Sequence, residues 1–427
     1  MSGIIIFALL LALMLTGMPV SISLGLTVLT FIFAFTDVPV EAVALKLFTG
    51  IEKFEIMAIP FFILAGNFLT HGGVARRMIN FASSMVGHWH GGLGLAAVVA
   101  CALFAAVSGS SPATVVAIGS ILLPAMVKAG FPKEFGAGVI TTAGGLGILI
   151  PPSIVMVMYS ITTNTSVGEL FMAGVIPGAL LALLLGLTTW WRAKKGNYPR
   201  LPKASWNQRL KALRESIWGL LLIVIVMGGI YSGMFTPTEA AAMSAVYAFI
   251  VAVFVYKDLT LKDVPRMLLN SANMSAMLLY IITNAVLFSF VLANENVPQQ
   301  LADWLINMGL GPIAFLLVVN ILLLIAGNFM EPSSIILILA PILFPVAVQL
   351  GIDPIHFGVL IVVNMEIGMC TPPVGLNLYV ASGITKMGIT ELTVAVWPWL
   401  LTMLAFLGLV TYVPMISLWL PKTLGMM

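Results

Sequence analysis

Long apolar stretches without a charged residue are the feature that most constrains the fold of this chain. Residues 171–191 and 392–420 contain no charge, and each exceeds the roughly 20 residues that a helix needs to cross a hydrocarbon core. Only 8% of all residues are charged, against about 25% in a soluble domain, so polar side chains cannot cover a water-facing surface. The stretches also lack the alternation of barrel strands. We therefore predict an all-α polytopic membrane protein.

One basic segment divides the chain. Residues 192–216 hold eight Lys and Arg residues and a single acid, Glu215. By the positive-inside rule this segment is cytoplasmic. Nucleic-acid binding is the alternative use of such a run, but its position between two apolar helices favours the topological role. The predicted organisation is a first membrane half at 1–191, a linker at 192–216 and a second half at 217–427.

The two halves share three sequence landmarks in the same order, which indicates an internal duplication offset by roughly 220 residues. Ser-Ser-Pro, Pro-x-x-Phe-Gly and Pro-Pro motifs lie at 110–112, 132–136 and 151–152, and their counterparts lie at 331–334, 354–358 and 372–373. Weak internal symmetry of this kind is typical of inverted-repeat transporters, whose binding sites lie near the membrane midplane.

The first landmark of each half predicts a re-entrant helical hairpin. Small hydroxyl residues and a proline interrupt apolar sequence near Ser110, and an unwound turn at membrane depth is tolerated only where protein or a watery cavity surrounds it. We place the hairpins at about 108–128 and 327–347. The alternative is an ordinary helix kinked at Pro112, with serines bonded to the backbone.

The third landmark predicts a broken helix in each half. Residues 144–153 contain three glycines and two prolines, which cannot form a regular helix interior, and 366–375 repeat the pattern. We place the broken helices at about 135–163 and 355–382. Their exposed carbonyls, with nearby hydroxyls, are hard oxygen ligands that suit Na⁺. The alternative is a pair of structural kinks without an ion.

Polar side chains near the breaks are the candidates for substrate binding. No Lys or Arg interrupts these segments, so bound cations and helix N-termini would have to balance an anionic substrate. Acids at membrane depth are usually functional, and Glu366 could bind a cation, carry a proton or orient a hairpin. The predicted substrate-binding set is Ser110, Thr114, Ser153, Asn364, Glu366 and Asn377. For the hydroxyl and amide residues, bonding to the local backbone is the alternative.

Enzyme motifs do not explain these residues. The chain has no GxxxxGK[ST] phosphate loop and no HExxH zinc pair. A serine hydrolase at 108–111 would need a base, and no histidine has an obvious claim near it. Cys101 and Cys370 lie in apolar sequence and suggest neither a disulfide nor a metal site. We predict a transporter rather than an enzyme, without a cofactor other than a coupling ion.

Five segments carry a resemblance to a known family. They lie at 108–126, 129–157, 236–242, 331–347 and 369–388. These runs resemble the large permease subunit of tripartite ATP-independent periplasmic (TRAP) transporters, the DctM family, and more narrowly its C4-dicarboxylate type. The resemblance extends over essentially the whole chain. The sialic acid permeases of the same family are the close alternative.

This resemblance implies a function and partners. Members of the family drive uptake across the bacterial inner membrane with Na⁺, by an elevator motion of a transport domain against a scaffold. The substrates expected here are succinate, malate and fumarate. Expected partners are a small DctQ-like membrane subunit, a periplasmic DctP-like binding protein and membrane lipid, but no nucleic acid. The small subunit is expected to be a separate chain, because Met1 leads directly into the large-subunit pattern. A stand-alone ion-transporter type of carrier is a more distant alternative.

The resemblance also implies two cation sites, each where a hairpin tip meets the following broken helix. Carried onto this sequence, the first set is Ser108, Ser111, Gly147, Ile150 and Pro152. The second set is Gly327, Asn328, Gly368, Thr371 and Pro373.

Overall fold

Every regular element of the structure is a helix. The structure is a computed structural model that describes residues 2–36, 38–307 and 311–426. Within these ranges, eight helices are long and apolar enough to cross a membrane, or nine if the pair Lys133–Leu149 and Ile154–Thr163, bent by 40°, is one span. This confirms the prediction of an all-α polytopic membrane protein.

The described residues of the first half form eleven α-helices, and a short 3₁₀ turn, Phe54–Met57, precedes the fourth. They are α1 Ser2–Leu15, α2 Val20–Phe35, α3 Val40–Thr49, α4 Ala58–His71, α5 Val74–Val86, α6 Gly92–Ser108, α7 Ser111–Lys128, α8 Lys133–Ala143, α9 Leu146–Leu149, α10 Ile154–Thr163 and α11 Val167–Lys195.

In the second half, outside residues 308–310 and 427, the chain forms ten α-helices, and a π-helical segment, Val251–Val255, extends the second of them. They are α12 Trp206–Tyr231, α13 Pro237–Ile250, α14 Val264–Asn294, α15 Val297–Asn307, α16 Pro312–Gly327, α17 Pro332–Gln349, α18 Pro354–Gly368, α19 Leu376–Thr385, α20 Ile389–Tyr412 and α21 Met415–Thr423.

Helices of the two halves pack on each other in reciprocal pairs. Helix α4 packs on α13, and their counterparts α14 and α2 pack on each other. The second arm of each hairpin packs on the last part of the broken helix in the other half: α7 packs on α19, and α17 packs on α10. Likewise α8 contacts α20 while α18 contacts α11. Such an exchange of partners is the arrangement that a two-fold relation between the halves produces.

The two halves enter the membrane from opposite ends. The loop between α7 and α8 lies beside the basic linker, because an ideal Cβ on Gly130 would be 3.6 Å from Pro199. The equivalent loop of the second half, between α17 and α18, lies at the other end of α11. It is held there by Tyr159 of α10, the helix that leads into the start of α11, whose hydroxyl donates to the Pro354 carbonyl at 2.8 Å. The repeats are therefore inverted, as predicted.

Basic residues define which end of the molecule faces the cytoplasm. The linker packs on the turn between α5 and α6, where the Leu201 amide donates to the Gly87 carbonyl at 3.0 Å. At the same end Arg76 and Arg77 both pair with Asp258. By the positive-inside rule we call this the cytoplasmic end, and we call the opposite end the outer end.

Contact between the halves depends on close backbone approach at Gly138 of α8. A Cβ there would lie 2.5 Å from the Ala395 carbonyl oxygen and 2.6 Å from the Trp399 ring, in the α8–α20 interface. We expect Gly138→Ala to lower the apparent free energy of unfolding by about 1–3 kcal/mol, the usual effect of overpacking a core. Thermal unfolding in detergent measures this change.

The matched control is Gly186→Ala in α11, where the nearest atom to a new Cβ, on Leu95, is 3.9 Å away. This variant should lose no stability, because alanine favours helix over glycine by about 1 kcal/mol. Equal midpoints for the two variants would contradict the packing that the structure shows between α8 and α20.

Candidate functional site

The first helical hairpin turns at Gly109 and Ser110, between α6 and α7. Gly109 has a φ of 60°, a left-handed conformation that glycine adopts without strain. The hydroxyls of Ser108 and Thr114 lie 2.8 Å apart, and Thr114 donates to the Ser110 carbonyl at 2.9 Å. The range 108–128 contains this tip and the second arm, whereas the first arm extends back to Gly92. Hydroxyl oxygens thus cluster where the chain reverses.

This tip is seated on the first broken helix. An ideal Cβ on Gly147 would lie 2.5 Å from the carbonyl oxygen of Ser110 and 2.8 Å from the Ser111 nitrogen. A Cβ on Gly109 would lie 2.9 Å from the Pro152 carbonyl oxygen. The two backbones approach so closely that neither glycine has room for a side chain. The structure therefore brings Ser110, Ser111, Gly147 and Pro152 together.

Two other predicted residues of the first break have local partners. The Ile150 side chain points at α11, where a Cβ on Gly178 would be 2.5 Å from it. The buried Ser153 hydroxyl donates to the Ile148 carbonyl at 2.6 Å and accepts from the Met156 amide at 3.3 Å, which caps α10. Any contribution of Ile150 to a cation site would therefore come from its carbonyl.

The second hairpin tip contacts the second broken helix in the same way. Gly327 and Gly368 face each other so closely that a Cβ on either would lie within 3 Å of the other's Cα. The Thr371 hydroxyl donates to the Asn328 side-chain oxygen, and the Val374 amide donates to the Asn328 carbonyl at 2.9 Å. Four of the five residues predicted for a second site are thus assembled at one place.

The two glycines of the broken helices occupy equivalent positions of the repeat. Gly147 and Gly368 are 221 residues apart, and the same offset separates the two Pro-Pro pairs. The exposure of the breaks differs, however. Pro151 and Pro152 are buried, whereas Pro372 and Pro373 are exposed. The first site is enclosed by protein, and the second lies beside an open surface.

Asn377 joins the second half of the chain to the first hairpin. It is fully buried in α19 of the second half, and its side-chain nitrogen donates to the Ser111 hydroxyl of the first hairpin at 2.7 Å. The same nitrogen lies 3.5 Å from the Thr141 carbonyl oxygen. Its side-chain oxygen has no hydrogen-bond partner in the described part of the chain. Because Asn377 belongs to the predicted substrate-binding set and Ser111 to the first predicted cation set, the structure joins residues of the two sets across the halves.

The other two residues of the predicted substrate-binding set lie in α18. Asn364 donates to the backbone and side-chain oxygens of Asn320, at 3.1 and 3.0 Å, and so holds the first arm of the second hairpin. Glu366 is fully buried, and within the described ranges neither carboxylate oxygen has a hydrogen-bond partner. A Cβ on Gly145, 221 residues before it, would be 2.6 Å from Glu366 Oε1. A charged, unpaired carboxylate in such a place is costly, so a proton or a cation must accompany it.

Sequence reasoning missed three residues that shape the site. Asn320 is an amide within an apolar hairpin arm, and that contrast is the one signal that could have found it. The Thr141 carbonyl approaches Asn377, and a Cβ on Gly66 of α4 would be 3.1 Å from the Ser108 carbonyl oxygen. These last two contacts join segments that are far apart in sequence, so no local sequence pattern predicts them.

Hydroxyl, amide and carbonyl oxygens dominate both contacts between a hairpin tip and a broken helix. Such neutral, hard oxygens can coordinate an alkali cation, and the unwound segments of transporter helices do so. Helices α7 and α17 also begin at the two tips, and the helix dipole favours negative charge at an N-terminus. The arrangement can therefore hold cations and an anion side by side.

Comparison with known proteins identifies the class. The family model of the tripartite ATP-independent periplasmic transporter, DctM component, matches residues 7–416. The chain is 76% identical to the C4-dicarboxylate TRAP transporter large permease protein DctM of Rhodobacter capsulatus, over 100% of both chains. It is 57% identical to the protein of that name from Pseudomonas aeruginosa, over 95% of each. The chain belongs to the DctM family of TRAP transporter large permeases.

A solved structure shares the fold. The YdaH transporter of Alcanivorax borkumensis, described as having an unusual topology, superposes with a TM-score of 0.62. The match covers 90% of this chain and 89% of that one, at 16% sequence identity. At this identity the likeness concerns the fold alone.

The hydrogen bond between Asn377 and Ser111 can be tested by a double-mutant cycle. We expect Asn377→Ala and Ser111→Ala each to destabilise the protein, because each leaves a buried polar group without its partner. The double variant should be less destabilised than the sum, with a coupling energy of about 1 kcal/mol. Unfolding in detergent, followed by intrinsic fluorescence, measures the four proteins. Additive effects would show that the two side chains do not interact.

Proposed function

We propose that this protein is the large subunit of a Na⁺-driven transporter that takes up small C4-dicarboxylates such as succinate, malate and fumarate. The observation that carries the proposal is the pair of equivalent contacts in which a hairpin tip meets a glycine of a broken helix, Gly147 or Gly368. At each contact a carbonyl oxygen of the hairpin, that of Ser110 or Gly327, would lie within 3.2 Å of a Cβ on the glycine. The relatives named for C4-dicarboxylate transport support the substrate class.

Sodium would bind at both contacts. At the first, Ser108 and Ser111 would supply hydroxyls, and the backbone around Gly147, Ile150 and Pro152 would supply carbonyls. At the second, the ligands would come from Asn328 and Thr371 and from the backbone of Gly327, Gly368 and Pro373. The hydrogen bond between Asn328 and Thr371 already directs two oxygens to one place.

The dicarboxylate would bind between the two sites. Two cations and the N-termini of α7 and α17 would balance its charge without a buried arginine. The side chains best placed to contact it are Ser110, Thr114 and Asn377, because each belongs to the tip of the first hairpin or bonds to it. Ser153 and Asn364 would act through the backbone of α10 and through Asn320.

We further propose an elevator motion. Helices α6–α10 and α16–α19 would move as the transport domain, because they contain both tips and both breaks. Helices α2, α4, α13 and α14, which pack on one another, would form the scaffold. A separate small membrane subunit and a periplasmic binding protein would complete the transporter in the bacterial inner membrane, as the family's name implies.

Uptake by the reconstituted transporter tests this proposal. The permease, the small membrane subunit and the binding protein are placed in proteoliposomes, and labelled succinate is supplied under an inward Na⁺ gradient. Accumulation should follow the Na⁺ gradient and require the binding protein. Uptake that follows a proton gradient alone would refute Na⁺ coupling. Stronger competition by sialic acid than by malate or fumarate would refute the substrate class.

A single methyl group should weaken the first cation site. In Gly147→Ala the new Cβ would lie 2.5 Å from the Ser110 carbonyl oxygen, so the tip must move away from the broken helix. We expect the Na⁺ concentration for half-maximal uptake to rise by about tenfold, which corresponds to about 1.4 kcal/mol. Uptake at graded external Na⁺ measures it. Gly186→Ala is the control and should behave as the wild type, and an unchanged Na⁺ response in Gly147→Ala would contradict the site.

A further inference from the structure

A cavity of about 460 Å³ opens near the outer end, outside the two hairpin contacts. It lies between α3, the segment that follows it, the end of α10 and the end of α14, with Leu337 of α17 also at its wall. Its polar lining comes from Lys46, Lys53, Asn164 and the hydroxyls of Thr162 and Ser289, among others. The volume falls in the range of small-molecule sites, roughly 300–1,000 Å³.

The two lysines are unusual for their end of the molecule. Of the 19 Lys and Arg residues, 16 belong to the linker or to segments at the cytoplasmic end, which leaves Lys46, Lys53 and Lys422 of α21 at the outer end. Among the charged residues at the outer end, acids outnumber the lysines. These acids are Glu41, Glu52, Glu55, Glu169, Glu239, Glu295, Asp303 and Asp353. An anion that approaches this face therefore meets net repulsion except at the cavity, which two lysines line.

Lys53 is held in place but not neutralised. Its ammonium donates to the Ile161 carbonyl and to the Asn164 side-chain oxygen, both at 2.6 Å, so one of its three protons is left free. The Lys46 ammonium lies 5.2 Å from the centre of the Phe290 ring. In the described part of the chain the ion pairs are those of Asp258 at the cytoplasmic end, so neither lysine has an acidic partner.

Burial lowers the pKa of Lys53, and the nearby Glu55 opposes this shift. A carboxylate in the cavity would oppose it further, because an opposite charge favours the ammonium form. The half-buried ammonium thus gains more from an anion than a fully solvated one would.

We propose that this cavity binds a small dicarboxylate anion, one carboxylate at Lys53 and the other at Lys46. The site would receive the anion at the outer end, where α10 faces α3 and α14, before it reaches the hairpin tips. The choice of a dicarboxylate rests on the proposed function. Unlike the contacts at the tips, this cavity is lined by two lysines, whose charge would repel a cation, so its affinity for the anion should not depend on Na⁺.

Binding of radiolabelled succinate to the purified permease in detergent separates the two kinds of site. In Na⁺-free choline buffer the wild type should bind succinate at the cavity alone. Lys46→Gln/Lys53→Gln should weaken this binding by about tenfold or more, whereas Lys53→Arg should keep most of it. Gly147→Ala, which alters the first cation site, should leave it unchanged. Lys422→Gln is the matched control, because it removes the remaining outer-end lysine without touching the cavity.

Each contrary result has a distinct meaning. If the wild type binds no succinate without Na⁺, or if the double lysine variant binds as well as the wild type, the proposed cavity site is wrong. Size-exclusion profiles and thermal midpoints show whether the variants are folded, and the single Lys46→Gln and Lys53→Met variants replace the double variant if it is not. If the wild type shows no Na⁺-dependent uptake, the proposed function is wrong. The Na⁺-free binding experiment would then still show whether the cavity binds succinate.

Discussion

The requirement that every backbone polar group be satisfied within protein is the constraint on which this structure depends. Lipid cannot hydrogen-bond to the chain, so a broken helix survives at membrane depth only where another part of the protein covers it. Each half meets this requirement by seating a hairpin tip on the break, with Gly147 and Gly368 allowing the backbones to touch. The oxygens gathered at these contacts are a consequence of the same requirement. The residues that satisfy this structural requirement are therefore the ones that we propose as sodium ligands.

The two-fold relation between the halves makes each site depend on the other half. Helix α7 packs on α19 and α17 packs on α10, so neither hairpin lies only against its own repeat. The Asn377–Ser111 hydrogen bond crosses this boundary. The halves are not identical in their surroundings, because Pro151 and Pro152 are covered while Pro372 and Pro373 are exposed.

Local pattern was sufficient to predict the kinds of element and their order. The polar tips, the glycine and proline breaks and the basic linker are all signals within a few residues, and the structure has helix ends at each of them. The pattern could not give the first arm of the first hairpin, which begins at Gly92, because an apolar arm resembles any spanning helix. Nor could it assign Ser153 to capping α10, since a serine after Pro-Pro can bond either to the backbone or to a ligand.

The sequence by itself determined that the chain is a helical membrane protein made of two repeats. The length of the apolar segments, the distribution of charge and the repeated breaks are all visible in the linear sequence. Only the tertiary structure decided which residues meet. It brought Asn377 to Ser111, Gly145 to Glu366, and Lys53 to the end of α10. Each of these pairs is separated by more than a hundred residues. The first two contacts follow from how the inverted halves pack and the third from packing within the first half, and no local pattern encodes either.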